Sequence, residues 1–163
     1  MTPPTSDDAP PPRVRVETFV RVDGEFRPVG ELTRYDGSCT YVPGAIVLAV
    51  DEFELLSLDL WDDVDWLWPF VIQALDECRR TGSGRTMFPD QPITFSAETM
   101  PRRPGYLLVS VTSSTSRRRV VAPADELYAA VARAGQAWFD QFGWFCAVQA
   151  PREESILAGW LAT

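Results

Sequence analysis

The first folded part of the chain is marked by alternating apolar and polar residues. From Arg13 to Val22 the sequence RVRVETFVRV alternates, which is the period of a half-buried strand. Asp23-Gly24 follows, a pair that readily adopts the positive φ angles of a tight hairpin turn, and the chain returns through Glu25 to Val29. The pattern therefore predicts a β-hairpin.

A looser segment comes next and leads into two apolar runs. A short strand is predicted near Cys39 to Val42. The runs GAIVLAV (44–50) and EFELLSLDL (52–60) have the length and the composition of strands. Because both runs are strongly apolar, we expect them to be central strands of a sheet.

Apolar residues then recur at spacings of three and four, which predicts the first long helix. Asp62 or Asp63 can cap it, and Pro69 requires the helix to begin close before it, because proline has no amide hydrogen. The regular part is predicted from Asp65 to Arg80, with Gly82 as a left-handed cap residue. The predicted apolar face consists of Val64, Leu67, Trp68, Val71, Ile72, Leu75 and Cys78.

The second half of the chain repeats the order of strands followed by a helix. Short extended runs over 85–88, 93–99, 106–112 and 117–122 predict a second antiparallel meander. Pro123 opens a second long helix that should end near Gly143, and a short C-terminal helix is predicted from Pro151 to Ala162. These elements predict an α+β fold: a mainly antiparallel sheet of about six to eight strands in two meanders, packed on one face by two long helices plus the short helix.

Length and composition predict one folded domain with a tail. A chain of 163 residues, 45% of them apolar, can form a hydrophobic core without disulfide or metal support. We expect residues 13–163 to be a single α+β domain. Residues 1–12 contain five prolines and are predicted to be a disordered, proline-rich tail.

The residue types that are missing exclude many kinds of active site. The chain has no histidine, lysine or asparagine, so all of its basic charge is arginine, a composition typical of a high-GC bacterium. An imidazole base, a histidine metal ligand, a Schiff-base lysine and a phosphate-loop lysine are therefore excluded. This favours a protein that is not an enzyme and that needs no cofactor or metal.

The cysteines and the lack of a long apolar run indicate the cellular compartment in which we expect the protein. Cys39, Cys78 and Cys146 are odd in number, widely spaced and without a CxxC pair, so they predict neither a disulfide framework nor a zinc site. Reduced thiols in a cytoplasm fit this pattern. The N-terminal residues lack a basic region and an apolar run, so neither a secretion signal nor a membrane anchor is expected.

Negative charge is concentrated in the first half of the chain. Residues 1–81 contain sixteen acidic and seven basic residues, a net charge of −9, whereas residues 82–163 carry a net charge of +1. A cluster of this kind repels phosphate backbones and attracts cationic protein surfaces. It predicts a basic protein partner and no nucleic acid or membrane partner. Seven carboxylates without a basic residue form its densest part: Asp51, Glu52, Glu54, Asp59, Asp62, Asp63 and Asp65.

Tryptophans within the same region supply candidate anchors for a partner. Trp68 belongs to the predicted apolar face, whereas Trp66 and Phe70 lie four residues apart on the flank of the helix. Tryptophan is strongly enriched at binding hot spots. The predicted function is therefore a non-enzymatic, acidic cytoplasmic protein-binding domain, an immunity-type inhibitor of a basic, nuclease-like toxin. The predicted contact residues are Asp62, Asp63, Asp65, Trp66 and Phe70.

Two other functions are open to the same residues. The first is a small carboxylate-based enzyme or ligand-binding domain, with a pocket between sheet and helices that uses Asp59, Asp63 or Tyr106. The second is a homodimer that buries Trp66 and Phe70 against a second copy. Helix capping alone also accounts for part of the acidic cluster.

Overall fold

A computed structural model describes residues 10–163 and forms nine strands and three α-helices from them. The prediction of a disordered tail over residues 1–12 falls mostly on residues 1–9, which lie outside the described residues. The strands are β1 Val14–Val22, β2 Glu25–Pro28, β3 Pro43–Val50, β4 Phe53–Leu56, β5 Asp62–Asp63, β6 Ser83–Met87, β7 Thr94–Thr99, β8 Tyr106–Thr112 and β9 Arg117–Pro123. The helices are α1 Val64–Thr81, α2 Ala124–Phe142 and α3 Pro151–Leu161.

The strands form two antiparallel sheets, which confirms the α+β class but corrects the expectation of one sheet. The first sheet has the order β2-β1-β3-β4, with β5 also pairing with β3, and the second has the order β6-β7-β8-β9. The two sheets approach each other at β4 and β9. Across this junction, Arg118 donates hydrogen bonds to Ser57 Oγ at 2.6 Å and to Asp59 Oδ2 at 2.8 Å. Side-chain contacts thus join β9 to the segment that follows β4.

Two strand predictions are wrong in detail. The segment from Cys39 to Val42 has no regular secondary structure. In the run 52–60, only β4 is a strand, and it lies at the edge of the first sheet while β1 and β3 are central. Asp51 and Glu52 both have positive φ angles, so the chain reverses sharply after β3, and the 3-10 turn Leu58–Leu60 ends the strand after Leu56.

The predicted helix limits agree with the structure to within a few residues. Gly82 has a φ angle of 97° and its amide donates to the carbonyl oxygen of Cys78, as expected for a left-handed cap. Pro69 lies in the second turn of α1. Because proline has no amide hydrogen, the carbonyl oxygen of Asp65 lacks its usual intrahelical hydrogen bond, and α1 continues past Pro69 to Thr81.

Buried side chains from both sheets and all three helices form one hydrophobic core. Helix α1 lies on β6 and β7, α2 lies along β1, and α3 packs on α2 and α1. Gly84 in β6 makes the first of these contacts possible, because a Cβ atom there would overlap the carbonyl oxygen of Ala74 in α1. Trp68 is fully buried and donates a hydrogen bond from Nε1 to Thr18 Oγ1 at 3.1 Å.

A disulfide joins Cys39 to Cys146, so the prediction of three reduced thiols is wrong. The two Cα atoms are 5.5 Å apart although 107 residues separate them in sequence. Their spacing could not indicate this pairing, because only the fold brings the segment before β3 next to the loop after α2. Cys78 is free and buried, as the helical pattern indicates.

None of the helices within residues 10–163 combines the length and the hydrophobicity needed to cross a membrane.

Candidate functional site

The start of α1 is fixed to the chain that enters β3. Strand β5 pairs Asp63 with Pro43 and Asp62 with Gly44. The amide of Val64 donates to the carbonyl oxygen of Val42, and the amide of Val42 donates to Asp65 Oδ1 at 3.0 Å. These bonds hold the first turn of α1 rigidly against the strand.

Asp62 lies inside the molecule, where it performs a structural role. Its side chain is buried, and Oδ1 accepts a hydrogen bond from the amide of Asp63. Oδ2 accepts from the amides of Asp90 and Gln91 at 3.1 and 2.8 Å. The carboxylate thus holds the turn before β7 against the start of α1, and it offers no exposed surface to a partner.

Aromatic side chains lie exposed beside this anchored turn. Trp66 is 49% exposed, and its indole donates to the carbonyl oxygen of Thr40 at 3.3 Å. Phe70 is half-buried and packs edge-to-face against Trp66, with ring centroids 6.5 Å apart. Tyr41 is 60% exposed. Its two neighbours in the chain are hydrogen-bonded to α1, because Thr40 accepts from Trp66 and Val42 donates to Asp65. We call Tyr41, Asp63, Asp65, Trp66 and Phe70 the acidic–aromatic surface.

The two carboxylates of this surface are held in an unfavourable environment. Burial raises the pKa of Asp63 above its ordinary value, and the neighbouring carboxylates of Asp62 and Asp90 raise it further. Burial also raises the pKa of Asp65, although its hydrogen bond from Val42 opposes the shift. The ion pairs formed within residues 10–163 all involve other acidic residues. A positive charge supplied from outside would therefore stabilise both carboxylates.

Sequence reasoning found Trp66 and Phe70 but missed two exposed aromatic residues nearby. Tyr41 lies in an irregular segment, where no periodicity separates exposed from buried positions. Trp144 is 87% exposed in the loop after α2. It lies two residues from Cys146, just as Tyr41 lies two residues from Cys39, so the disulfide brings the two loops together.

The residues expected for a small carboxylate enzyme are dispersed. Asp59 accepts hydrogen bonds from Ser57 and Arg118 at the sheet junction. Tyr106 lies under the guanidinium of Arg103, 4.0 Å from the ring centroid, and Arg13 and Arg103 lower its pKa. Asp63 lies at the start of α1. Within residues 10–163, no group of three or more cysteine or carboxylate side chains is placed to hold a metal ion.

A cavity of about 600 Å³ lies between the end of α1, the start of α2, the end of α3 and residues Thr99 and Leu107 of the second sheet. Asp59, Asp63 and Tyr106 do not line it. Burial raises the pKa of the Cys78 thiol in its wall and thus favours the less reactive protonated form. The Tyr128 hydroxyl donates to the carbonyl oxygen of Leu75 at 2.9 Å. This geometry provides neither an activated nucleophile nor paired acids.

Comparisons of the chain with models of protein families, with curated proteins and with solved structures find no match in any of the three.

Proposed function

We propose that this chain is a non-enzymatic, cytoplasmic protein-binding domain whose acidic–aromatic surface captures a basic protein. In this proposal it acts as an immunity-type inhibitor that covers the cationic surface of a nuclease-like toxin. The observation that carries the proposal is the exposure of Trp66 in contact with Phe70, beside two carboxylates that no arginine of the described chain neutralises.

Aromatic exposure and charge would contribute different parts of the binding. Large aromatic side chains at the centre of an interface contribute most of the affinity, because they bury much area with few rotatable bonds. Complementary charge mainly accelerates association and excludes wrong partners. In this proposal, affinity comes mainly from Tyr41, Trp66 and Phe70. Faster association and the exclusion of wrong partners come from Asp63 and Asp65.

The raised pKa values of Asp63 and Asp65 also support a cationic partner. In the free protein, both carboxylates are partly desolvated, and Asp63 is repelled by Asp62 and Asp90. Such an arrangement lowers the stability of the folded chain, and protein surfaces often keep it where function requires it. An arginine or lysine of the partner would offset this repulsion on binding.

The same charges disfavour the homodimer as the main assembly. A two-fold interface is formed by the same patch of both copies, so it would gather the Asp63 and Asp65 carboxylates of both chains in one contact area. The aromatic residues alone would favour self-association, and sedimentation of the purified chain distinguishes the two outcomes.

The proposal is tested by affinity capture from the native cytosol with variants of the surface. We expect wild type to retain a basic protein that Asp63→Arg and Trp66→Ala lose, each with an affinity about tenfold weaker or more. Matched controls are Glu77→Arg, which makes the same charge change further along α1, and Phe53→Ala, which removes an aromatic residue that is 47% exposed. Circular dichroism should show an unchanged fold in all four variants.

The captured protein is then purified and its affinity is measured at about 50 and 300 mM salt, where screening of exposed charges differs strongly. The proposal is supported if the affinity of wild type falls as salt rises and the affinity of Asp63→Arg falls less. Binding that survives both surface substitutions, or a partner that is itself acidic, would contradict it.

A further inference from the structure

The acidic–aromatic surface depends on a segment that has no secondary structure of its own. Residues 33–42 run from just after the 3-10 turn Val29–Glu31 to β3 without a helix or a strand. At its end, Thr40 and Val42 are bonded to Trp66 and Asp65. Earlier in the segment, Tyr35 packs edge-to-face on Phe142 at 5.0 Å and donates to the carbonyl oxygen of Ser38. Between these two attachments, the covalent bond of Cys39 joins the segment to the rest of the molecule.

The loop on the other side of the disulfide has the same character. Residues 143–150 connect α2 to α3 without regular secondary structure. The loop contains Cys146, which is buried, and Trp144, which is the most exposed of the large apolar residues described. Phe145 packs against Phe142 at 6.1 Å. One covalent bond therefore holds together two irregular segments, each of which carries an exposed aromatic residue.

We propose that the Cys39–Cys146 disulfide is a clasp that assembles the binding surface, and that reduction by a dithiol opens it. This inference rests on the proposed function for its biological meaning, because it concerns the regulation of that surface. In the cytoplasm that we propose, disulfides are typically transient and serve redox sensing, whereas permanent ones belong to oxidising compartments. In the oxidised chain, the clasp holds the segment that carries Tyr41 in place beside the other four residues of the surface.

The reduction follows ordinary thiol–disulfide exchange. Cys39 is exposed and Cys146 is 3% exposed, so the thiolate of the dithiol attacks Cys39 Sγ. The S–S bond breaks, Cys146 leaves as a thiolate and takes up a proton, and a mixed disulfide remains on Cys39. The second thiol of the reductant attacks its own mixed-disulfide sulfur and releases Cys39. The protein gains two electrons and two protons, and the dithiol becomes a cyclic disulfide.

Opening the clasp should loosen the two segments and leave the rest of the fold in place. Most of the core of both sheets and the three helices consists of buried apolar residues that lie outside the two segments, and Cys146 is the core residue that takes part in the bond. The hydrogen bonds from Val42 to Asp65 and from Trp66 to Thr40 sit beside β3 and should partly persist. Residues 33–41 and 143–149 have no ladder hydrogen bonds to replace the clasp, so they should lose their order first.

The test is amide hydrogen exchange of the purified full chain, followed by mass spectrometry, in the oxidised form and after reduction with dithiothreitol. We expect exchange in peptides covering 33–41 and 143–149 to accelerate about tenfold or more, while α1 and β7–β8 stay far better protected than these two segments, because their amides exchange only when the whole fold opens. The double variant Cys39→Ser/Cys146→Ser should behave like reduced wild type and should not respond to reductant. Cys78→Ser is the matched control and should respond like wild type.

Three results would overturn the inference. Unchanged exchange in both segments after complete reduction would show that the bond does not order them. Exchange in α1 and β7–β8 that becomes as fast as in the two segments would show that the bond holds the whole fold and is not a local switch. Failure of the bond to form under oxidised glutathione, measured by thiol titration, would remove the clasp itself.

This experiment needs no partner, so its failure is distinguishable from failure of the proposed function. Once a basic partner is purified, the oxidised chain should bind it at least about tenfold more tightly than the reduced chain. If the oxidised and the reduced chain bind the partner equally well although the two segments loosen on reduction, the disulfide does not control the binding surface, and its regulatory role is contradicted.

Discussion

Asp62 and Asp63 are neighbours in the sequence, yet the fold uses their side chains in opposite ways. Asp62 is buried, and three backbone amides satisfy it. Asp63 precedes α1 without a side-chain capping bond and is repelled by the charges around it. The composition of the acidic cluster could not separate the two roles, because the amides of Asp90 and Gln91 that bind Asp62 come from a distant part of the chain.

At this scale, the raised pKa of Asp63 predicts a pH dependence of stability. Its ordinary value is 3.8, and the folded value is higher. Between the two values the folded chain binds more protons than the unfolded chain, so the group lowers stability as pH rises through this range. Asp63→Asn should therefore flatten the fall in unfolding free energy as the pH rises above 3.8, and urea denaturation at several pH values measures it.

Glu77→Gln is the control for this prediction, because Glu77 is an exposed carboxylate of the same helix. Asparagine is also a good helix-capping residue, so the substitution keeps the local backbone preference. Parallel pH profiles for wild type and Asp63→Asn would contradict the prediction.

Among the contacts between secondary-structure elements, the packing of β6 on α1 has no room for one additional carbon atom at Gly84. A Cβ atom at Gly84 would overlap the backbone of Ala74, which cannot move away as a flexible side chain could. We expect Gly84→Ala to lower the unfolding free energy by about 3 kcal/mol, the range typical of overpacking. Thermal or chemical denaturation measures the change.

Gly159 in α3 provides a matched glycine substitution with the opposite expected sign. An added Cβ there would have no neighbour within 4 Å. Because alanine favours helix more than glycine does, Gly159→Ala should raise stability by up to about 0.5 kcal/mol. Equal effects of the two substitutions would argue against the close packing of β6 on α1.

Elements with strong local signals could be predicted, and those set by distant contacts could not. The Asp23-Gly24 hairpin, the spacing of apolar residues in α1 and the cap at Gly82 depend on neighbours in sequence. The division into two sheets depends on how β4 meets β9, and this has no local signature. At the candidate site, helical spacing alone places Trp66 and Phe70 on the flank of α1. The position of Tyr41 beside them depends on the hydrogen bonds of Thr40 to Trp66 and of Val42 to Asp65, which have no signal in the local sequence.

At the scale of the whole molecule, the disulfide is a covalent link between distant parts of the chain. It closes a loop of 107 residues, and a cross-link of this length destabilises the unfolded chain strongly. Cys39→Ser/Cys146→Ser should lower the unfolding free energy by about 2–4 kcal/mol. Domains of this size commonly have about 5–15 kcal/mol of stability, so the variant should still fold.

Guanidinium denaturation of wild type and the double variant, each with and without reductant, measures this effect. Reductant should lower the midpoint of wild type to that of the double variant and should leave the double variant unchanged. A midpoint that reductant does not move in wild type, after complete reduction, would contradict the prediction.

The position of the disulfide also defines a covalent ring within the chain. The ring runs from Cys39 to Cys146 and contains β3 to β9, α1 and α2, whereas β1, β2 and α3 lie outside it. A single proteolytic cut inside the ring would leave the two pieces joined through sulfur, but a cut between β2 and Cys39 would release the N-terminal hairpin on denaturation. Nicked chains would thus separate differently on gels with and without reductant, according to which side of the ring was cut.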